Sequence, residues 1–322
     1  MDVNRLDLLR ELSERGSVTA VAEATGRTPS AVSQQLKVLE REAGMPLTER
    51  SGRGLVLTSA GHALARSATE VAIALERANA LWDQFRNHPS GEVSLATFPT
   101  VGAALLPGVL ADLSQVAGLV VHCTDLDPDL AGFADLTSEY DIVLAHTMPG
   151  VLPWGGRGLT VVPLLTEPLD VGVPIGHRLA GRSSVTSADL VDETWLGVPP
   201  GFPFERILHV IEQQGGKRVH VAQRFSDMRI IEAFIAAGQG VAFVPRFTSG
   251  TVPADVVLKP IRGVASARQI VALVRPDVAE RLAVRTVLDV LTTRAARLEQ
   301  AHDHPSRGSS AAHTPEDSAE RS

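Results

Sequence analysis

Ser30, Ser33, Gln34, Lys37 and Arg41 recur at spacings of three and four, which sets them on one face of a single helix. That face suits base edges and phosphates: Gln pairs with adenine, Ser bonds to several bases, and Lys and Arg serve guanine or phosphate. Val32, Leu36 and Leu39 fall on the opposite side at i, i+4 and i+7, the stripe a buried helix face requires. Catalytic signatures are missing from the sequence: there is no G-x-S-x-G elbow, no phosphate loop, no G-x-G-x-x-G opening a helix after a strand and no H-E-x-x-H. Asp125, Asp127 and Asp129 alternate like calcium ligands, but Pro128 and the missing downstream Gly and Glu spoil such a loop, so a turn leading into a helix is expected. The spacing of His302, His304 and His313 does not by itself make a metal site. Cys123, the one cysteine, excludes a disulfide framework and is expected as a buried, inert thiol in a strand. No enzyme activity, metal or cofactor is expected. The rival reading is an enzyme or metabolite-binding protein with a fused helix-turn-helix.

Presenting that polar face requires a frame of short helices. A first helix over residues 4–14 carries Leu6, Leu9 and Leu12 on one stripe and ends at Gly16. Ser17 caps a second helix that runs to Ala24, and Gly26 closes it. Thr28-Pro29 then opens the third, over residues 29–42, with Pro where the missing donor costs nothing. Two helices joined by a short turn, the second with a hydrogen-bonding outer face, make a helix-turn-helix. Strands over residues 47–50 and 55–58 flank Ser51-Gly52-Arg53-Gly54, a hairpin turn that forms a wing. Arg50 and Arg53 would meet the phosphate backbone there, as would Arg27, Thr28 and Pro29 at the start of the third helix. Between Gly26 and Arg66 six basic residues face three acidic ones, a local excess of three positive charges in a chain of formal charge −7. The field is positive where phosphate binding needs it.

From Gly61 the apolar or small positions Leu64, Ala68, Val71, Leu75, Ala78, Trp82 and Phe85 follow in alternating steps of three and four. That heptad pattern predicts a long helix, residues 58–88, packing along a partner copy. His88-Pro89-Ser90-Gly91 breaks it. Beyond, strands are expected at 93–98, 119–124, 141–146, 160–165, 196–198, 219–225, 241–244 and 269–274, alternating with helices at 101–113, 128–136, from 204, at 227–237 with Ser226 as cap, and at 277–298. Such alternation predicts a mostly parallel sheet that binds ligands beyond its strand ends. Residues 301–322 are small and polar, a composition expected to stay disordered. At 322 residues the chain exceeds one typical domain. Its charged N-terminus is no signal peptide and no apolar run could cross a membrane, so a cytoplasmic location is expected.

The run SVTAVAEATGRTPSAVSQQLKVLEREAGMPLTERSGRGLVLTSAG closely resembles the winged helix-turn-helix of LysR-type transcriptional regulators, within a likeness covering residues 5–66. Two departures stand out: that family often has Arg where Gln34 stands, and usually Phe where Thr48 stands, which implies looser packing under the wing. FSDMRIIEAFIAAGQGVAFVP and YDIVLAH are similar to segments of the family's effector domain, a likeness that extends over residues 92–295. The resemblance implies a multi-domain α+β chain: a DNA-binding domain (1–57), a linker helix (58–88) and a two-lobed α/β effector domain (92–300) similar to type 2 periplasmic-binding proteins. Lobe one would hold residues 92–165 and 268–300, and lobe two residues 166–267. It also implies a small-molecule effector between the lobes, touching Phe98, Pro99 and Thr100, then His146 and Thr147, then Pro199, Gly201 and Phe202, and finally Phe225 and Ser226. Free N–H groups at the helix opened by Thr100 favour an anion, so a small carboxylate is expected. The implied partners are a double-stranded DNA operator, further copies of the chain as a homotetramer or homodimer, and RNA polymerase. Effector binding would shift the balance between two arrangements of the lobes.

Overall fold

A computed structural model describes residues 1–51, 54–85, 89–151, 153–202 and 204–303. Arg53 and the residues beyond Asp303 therefore lie outside the description. Three helices open the chain: α1 (Val3–Arg15), α2 (Val18–Ala24) and α3 (Pro29–Ala43). Asp2, Ser17 and Thr28 cap them, and the Thr28 Oγ1 accepts from the Ala31 N–H at 3.2 Å, a contact that contributes about 1 kcal/mol. Val32, Leu36 and Leu39 of α3 are buried against Leu9, Leu12 and Val21, each such side chain stabilising the fold by roughly 1.5–3 kcal/mol. Strands β1 (Thr48–Ser51) and β2 (Gly54–Leu57) form the antiparallel wing.

Helix α4 (Ser59–Phe85) starts so close to the wing that a Cβ on Gly61 would lie 2.0 Å from the Leu47 carbonyl oxygen. Only glycine fits there. Gly61, Ala65 and Ala68 are buried, the two alanines within the helical core. The heptad positions thus serve two surfaces. Ala68, with Leu64 half-buried beside it, packs into the N-terminal domain and not along a seam between copies.

Past α4 come β3 (Gly91–Thr97), α5 (Pro99–Leu113), β4 (Leu119–Asp125), α6 (Gly132–Leu136), β5 (Ile142–Thr147), β6 (Thr160–Pro174), β7 (Val185–Thr186) and α7 (Ser187–Leu190). The chain continues with β8 (Thr194–Gly197), α8 (Phe204–Gly215), β9 (His220–Arg224), α9 (Met228–Ala236), β10 (Ala242–Pro245), β11 (Val256–Lys259), β12 (Ile261–Arg262), β13 (Ala267–Val274) and α10 (Leu282–Asp303). The principal sheet has the order β10-β6-β13-β5-β3-β4, with β11 also on β6. It is mixed, not mostly parallel: β3 runs parallel to β4 and β5, whereas β13 is antiparallel to β5 and β6, and β10 and β11 are antiparallel to β6.

Strand β6 runs on well past the expected end at residue 165. Pro163 and Pro168 suggest a break, yet pairing persists because a bulge at the Ile270/Val271 step absorbs the irregularity. Its first half lies in one apolar cluster with Val93, Leu95 and Ile142, and its second half in another with Trp195, Ile207 and Val244. The short strands β7, β11 and β12 carry no sequence signal strong enough to anticipate. Asp227, not Ser226, caps α9, its carboxylate accepting from the Arg229 N–H at 2.9 Å. Helix α10 begins only after an extended Arg281 and reaches Asp303, so residues 301–303 are helical where a disordered tail was expected.

The N-terminal domain rests on the first lobe through ion pairs. Arg10 meets Asp7, Glu11, Glu14 and Asp277 at 2.6–3.2 Å, and Arg275 reaches Glu11 and Glu14. Arg15 pairs with Glu11 and donates to the Ser138 carbonyl oxygen. Burial opposes the charge on Arg10, but Glu14, Asp277 and Asp7 outweigh it and hold the guanidinium protonated.

Candidate functional site

Two surfaces and one cavity gather the candidate residues. On the first surface, Arg27, Thr28, Pro29, Ser30, Gln34, Lys37, Arg41 and Arg50 are exposed and Ser33 is half-buried. The Thr28 and Ser30 hydroxyls are 3.1 Å apart at the start of α3. Arg41 donates to the Lys37 carbonyl oxygen, and among the described residues no carboxylate pairs with Arg27, Lys37, Arg41 or Arg50. Arg5, on the other flank of α3, is tied to Glu42 at 2.7 Å. Where an aromatic residue was the usual expectation, Thr48 is held by hydrogen bonds: its N–H, its hydroxyl and the Leu47 N–H all donate to Glu40 Oε1 at 2.8–3.0 Å. One α3 carboxylate thereby fixes the wing relative to the polar face.

The second surface is the far half of α4. Val71, Leu75, Ala78, Trp82 and Phe85 are exposed, Phe85 by 82%, and the Trp82 and Phe85 rings stack at 5.7 Å. Leu81, which the heptad count omits, is exposed as well. These apolar side chains lie uncovered along the outer half of the helix.

The cavity, about 690 Å³, opens between the two apolar clusters of the C-terminal domain. Phe98, Pro99, Thr100, His146, Phe202 and Ser226 line it. Four expected contacts do not. Thr147 follows His146 in β5, so strand alternation turns it to the other face, where its hydroxyl bonds the Val151 carbonyl oxygen at 3.3 Å. Pro199 and Gly201 belong to the turn after β8; Gly201, at φ 91°, faces Asp129 outside the lining. Phe225 packs on Phe234 at 4.8 Å and lies against the second lobe's core. Cys123 is a further correction: it lies in β4, but β4 is an edge strand and the thiol is exposed at the cavity wall. Partial burial pushes that thiol's pKa up.

Residues that the sequence reading passed over dominate the cavity's electrostatics. Arg268 Nε donates to Glu167 Oε2 at 2.8 Å, and its Nη2 donates to the Thr100 and Thr248 hydroxyls at 3.0 and 2.7 Å. Glu167 is wholly buried and also accepts from the Phe247 and Thr248 N–H groups. The Arg268 guanidinium lies 5.1 Å from the Phe98 ring centre and 5.8 Å from that of Phe204. This pair sits on β6 and β13, the two strands that link the lobes, and its signal in sequence is an arginine near the start of the strand ARQIVALV, whose last five residues are apolar. His146 is enclosed by Phe98, Phe133, Phe202 and Phe204, with Nε2 3.6 Å from Asp127 Oδ1. Burial lowers its pKa below the ordinary value, so the ring is neutral near pH 7. Glu232, from α9, has the opposite shift: burial raises its pKa, against an opposing contact from Ser249. Among the described residues no cluster of side chains suits a metal ion, and no helix is long and apolar enough to cross a membrane.

Comparison with known proteins assigns both parts of the chain. Residues 3–62 match the family model described as bacterial regulatory helix-turn-helix protein, lysR family. Residues 86–296 match that of the LysR substrate binding domain. The chain is 27% identical over 278 residues to the transcriptional dual regulator GltC of Bacillus subtilis, covering 86% of this chain and 91% of GltC. A full-length OxyR variant from Pseudomonas aeruginosa superposes with a TM-score of 0.62 at 21% identity, over 91% of this chain and 98% of that one. CbnR, solved in complex with its target DNA, superposes with a TM-score of 0.51 at 22% identity, over 92% of this chain and 100% of that one. With one family model on the winged domain and the other on the two-lobed domain, the chain belongs to the LysR family of DNA-binding transcriptional regulators that carry an effector-binding domain.

Proposed function

We propose that this regulator reads its operator through α3, pairs with a second copy through the outer half of α4, and is switched by a small molecule held between the lobes. The observation that carries the reading is the cationic face of α3, without carboxylate partners among the described residues, joined through a helix with an exposed apolar stripe to an aromatic-lined cleft. Ser30, Ser33 and Gln34 reach base edges while Arg27, Lys37, Arg41 and Arg50 meet phosphates. The stripe from Val71 to Phe85 is buried when two chains associate, as a dimer or, with further contacts, a tetramer.

Within the cleft, Phe98 at the N-cap of α5 makes no side-chain hydrogen bond, so the helix offers its first N–H groups to an anionic part of the effector. A small carboxylate is the anion proposed for that position. Because Arg268 and Glu167 join the strands that link the lobes, a ligand beside them has contacts that differ between open and closed arrangements, which is what a population shift requires. Binding, not turnover, is the role assigned to the cleft, and the protein acts in the cytoplasm on DNA, with RNA polymerase as the final partner. The test is fluorescence anisotropy of full-length protein on its own promoter region across a salt series, with sedimentation to give the stoichiometry. Tight, salt-sensitive binding by an oligomer is expected. A monomer indifferent to duplex DNA at low salt overturns the proposal.

A further inference from the structure

The cleft's charges are not balanced. Asp125, Asp127, Asp227 and Glu232 line it, against Arg229 and Arg268. Both cations are already engaged: Arg229 with Asp227 at 2.7 Å and Arg268 with Glu167 at 2.8 Å. The carboxylates that remain are Asp125, Asp127 and Glu232.

Two of these present buried oxygens that no hydrogen bond of good geometry satisfies. Glu232 is only 6% exposed, and beyond the contact with Ser249 neither its Oε1 nor the Ser249 Oγ makes a hydrogen bond. Asp127 Oδ1 is buried as well, and its one neighbour of opposite polarity is His146 Nε2 at 3.6 Å, too far for a good hydrogen bond. His146, 3% exposed, leaves its Nδ1 buried without a partner. Buried polar atoms are almost always satisfied in folded proteins, so such a set converging on one cavity marks where ligand donors belong. An ionised carboxylate can accept hydrogen bonds but donates none, so these oxygens call for donors. A carboxylate group of a ligand supplies no donor to them and would bring like charge to this end of the cleft.

We infer that the ligand of this cleft carries a protonated amine, received by Asp127 from the first lobe and Glu232 from the second, on an apolar body packed among Phe98, Phe202 and Phe204. This inference rests on the effector reading proposed above and names its chemistry. An ammonium provides three donors, its bonds to carboxylates are charge-assisted, and aromatic faces favour a cation. Because Asp127 and Glu232 lie on different lobes, one ammonium reaching both would favour closure. A carboxylate on the same molecule has its own place at the α5 N-terminus, so amino-acid-like zwitterions fall within the class.

Full-length protein is titrated calorimetrically with ligands matched in carbon body: phenethylamine, hydrocinnamate and phenethyl alcohol, then hexylamine, heptanoate and hexanol, with phenylalanine as the zwitterion. In each set the amine should bind at least about tenfold more tightly than its acid or alcohol. Phenylalanine binding at least as well as phenethylamine supports the zwitterion. Asp127→Asn and Glu232→Gln should each erase the advantage of amine over alcohol. Acids ranking first, equal affinities within a set, or no amine binding at millimolar concentration overturn the assignment, and so does an amine advantage that survives both substitutions. If either variant misfolds, the ranking on the unaltered protein decides. Salt-sensitive DNA binding by the same preparation is measured first, so failure of the regulator reading is told apart from failure of the amine.

Discussion

The N-terminal domain carries two charged faces made from the same side chains and used in opposite ways. Outward, Arg27, Lys37, Arg41 and Arg50 are exposed and meet no carboxylate among the described residues. Inward, Arg10 is almost fully buried, and it shares Glu11 and Glu14 with Arg275 and Glu11 with Arg15. An exposed cation keeps its hydration and costs little when unpaired; it gains free energy when phosphate arrives and counterions leave. A buried guanidinium has lost its water and must be surrounded by carboxylates, or the domain interface does not form. Which face recognises and which face holds is therefore decided by desolvation, not by residue type.

Removing one carboxylate from the inward face should give the largest effect. Glu11→Ala deprives Arg10, Arg15 and Arg275 of a shared partner and should lower the stability of the full chain by about 3–5 kcal/mol in urea unfolding. On the outward side of the domain, Glu49→Ala should change it by less than ~0.5 kcal/mol, because that residue is exposed. Similar losses at the two positions would erase the distinction. Next in size is Gln34→Ala, which should alter operator preference by about 1–3 kcal/mol at one base pair in competition against a randomised site. A uniform loss over all sequences would move Gln34 into the phosphate-contacting set. Lys37→Ala should weaken specific and random DNA alike and reduce the slope of log affinity against log salt by about one. An unchanged slope would take Lys37 off the outward face's phosphate contacts.

Legibility in sequence follows the same division. The outward face could be read because a helix repeats every few residues: caps at Ser17 and Thr28 and the stripe Val32, Leu36, Leu39 are all local patterns. The inward face and the cleft depend on partners far apart in the chain. Arg268 and Glu167 are 101 residues apart, Arg10 and Asp277 farther still, and no periodicity links them. Strand alternation alone could have separated His146 from Thr147, since only every second residue of β5 faces the cleft. The heptad count was blind for a different reason: Gly61 holds its position because α4 must approach the wing and Ala68 because α4 packs into the N-terminal core, and small residues permit such approach as readily as they fill a seam.

The smallest effect is one that vanishes at neutral pH and opens only with acid. Burial resists the charge on Glu11, but the hydrogen bond from Arg15 and the charges of Arg10 and Arg275 overcome it and hold its pKa below the ordinary 4.5. The unfolded chain therefore takes up this proton before the folded one does. Stability from Glu11 is complete above the ordinary value and is lost as the pH falls through the lowered one. Urea midpoints measured from about pH 7 down to about pH 3 should fall more steeply for the unaltered protein than for Glu11→Gln, which has no proton to gain. The difference between the two curves should open only below about pH 5, where the ordinary carboxylate begins to titrate. Parallel curves would mean that Glu11 is not the group whose ionisation holds the inward face, and the pairing of Arg10 would then rest on Glu14 and Asp277.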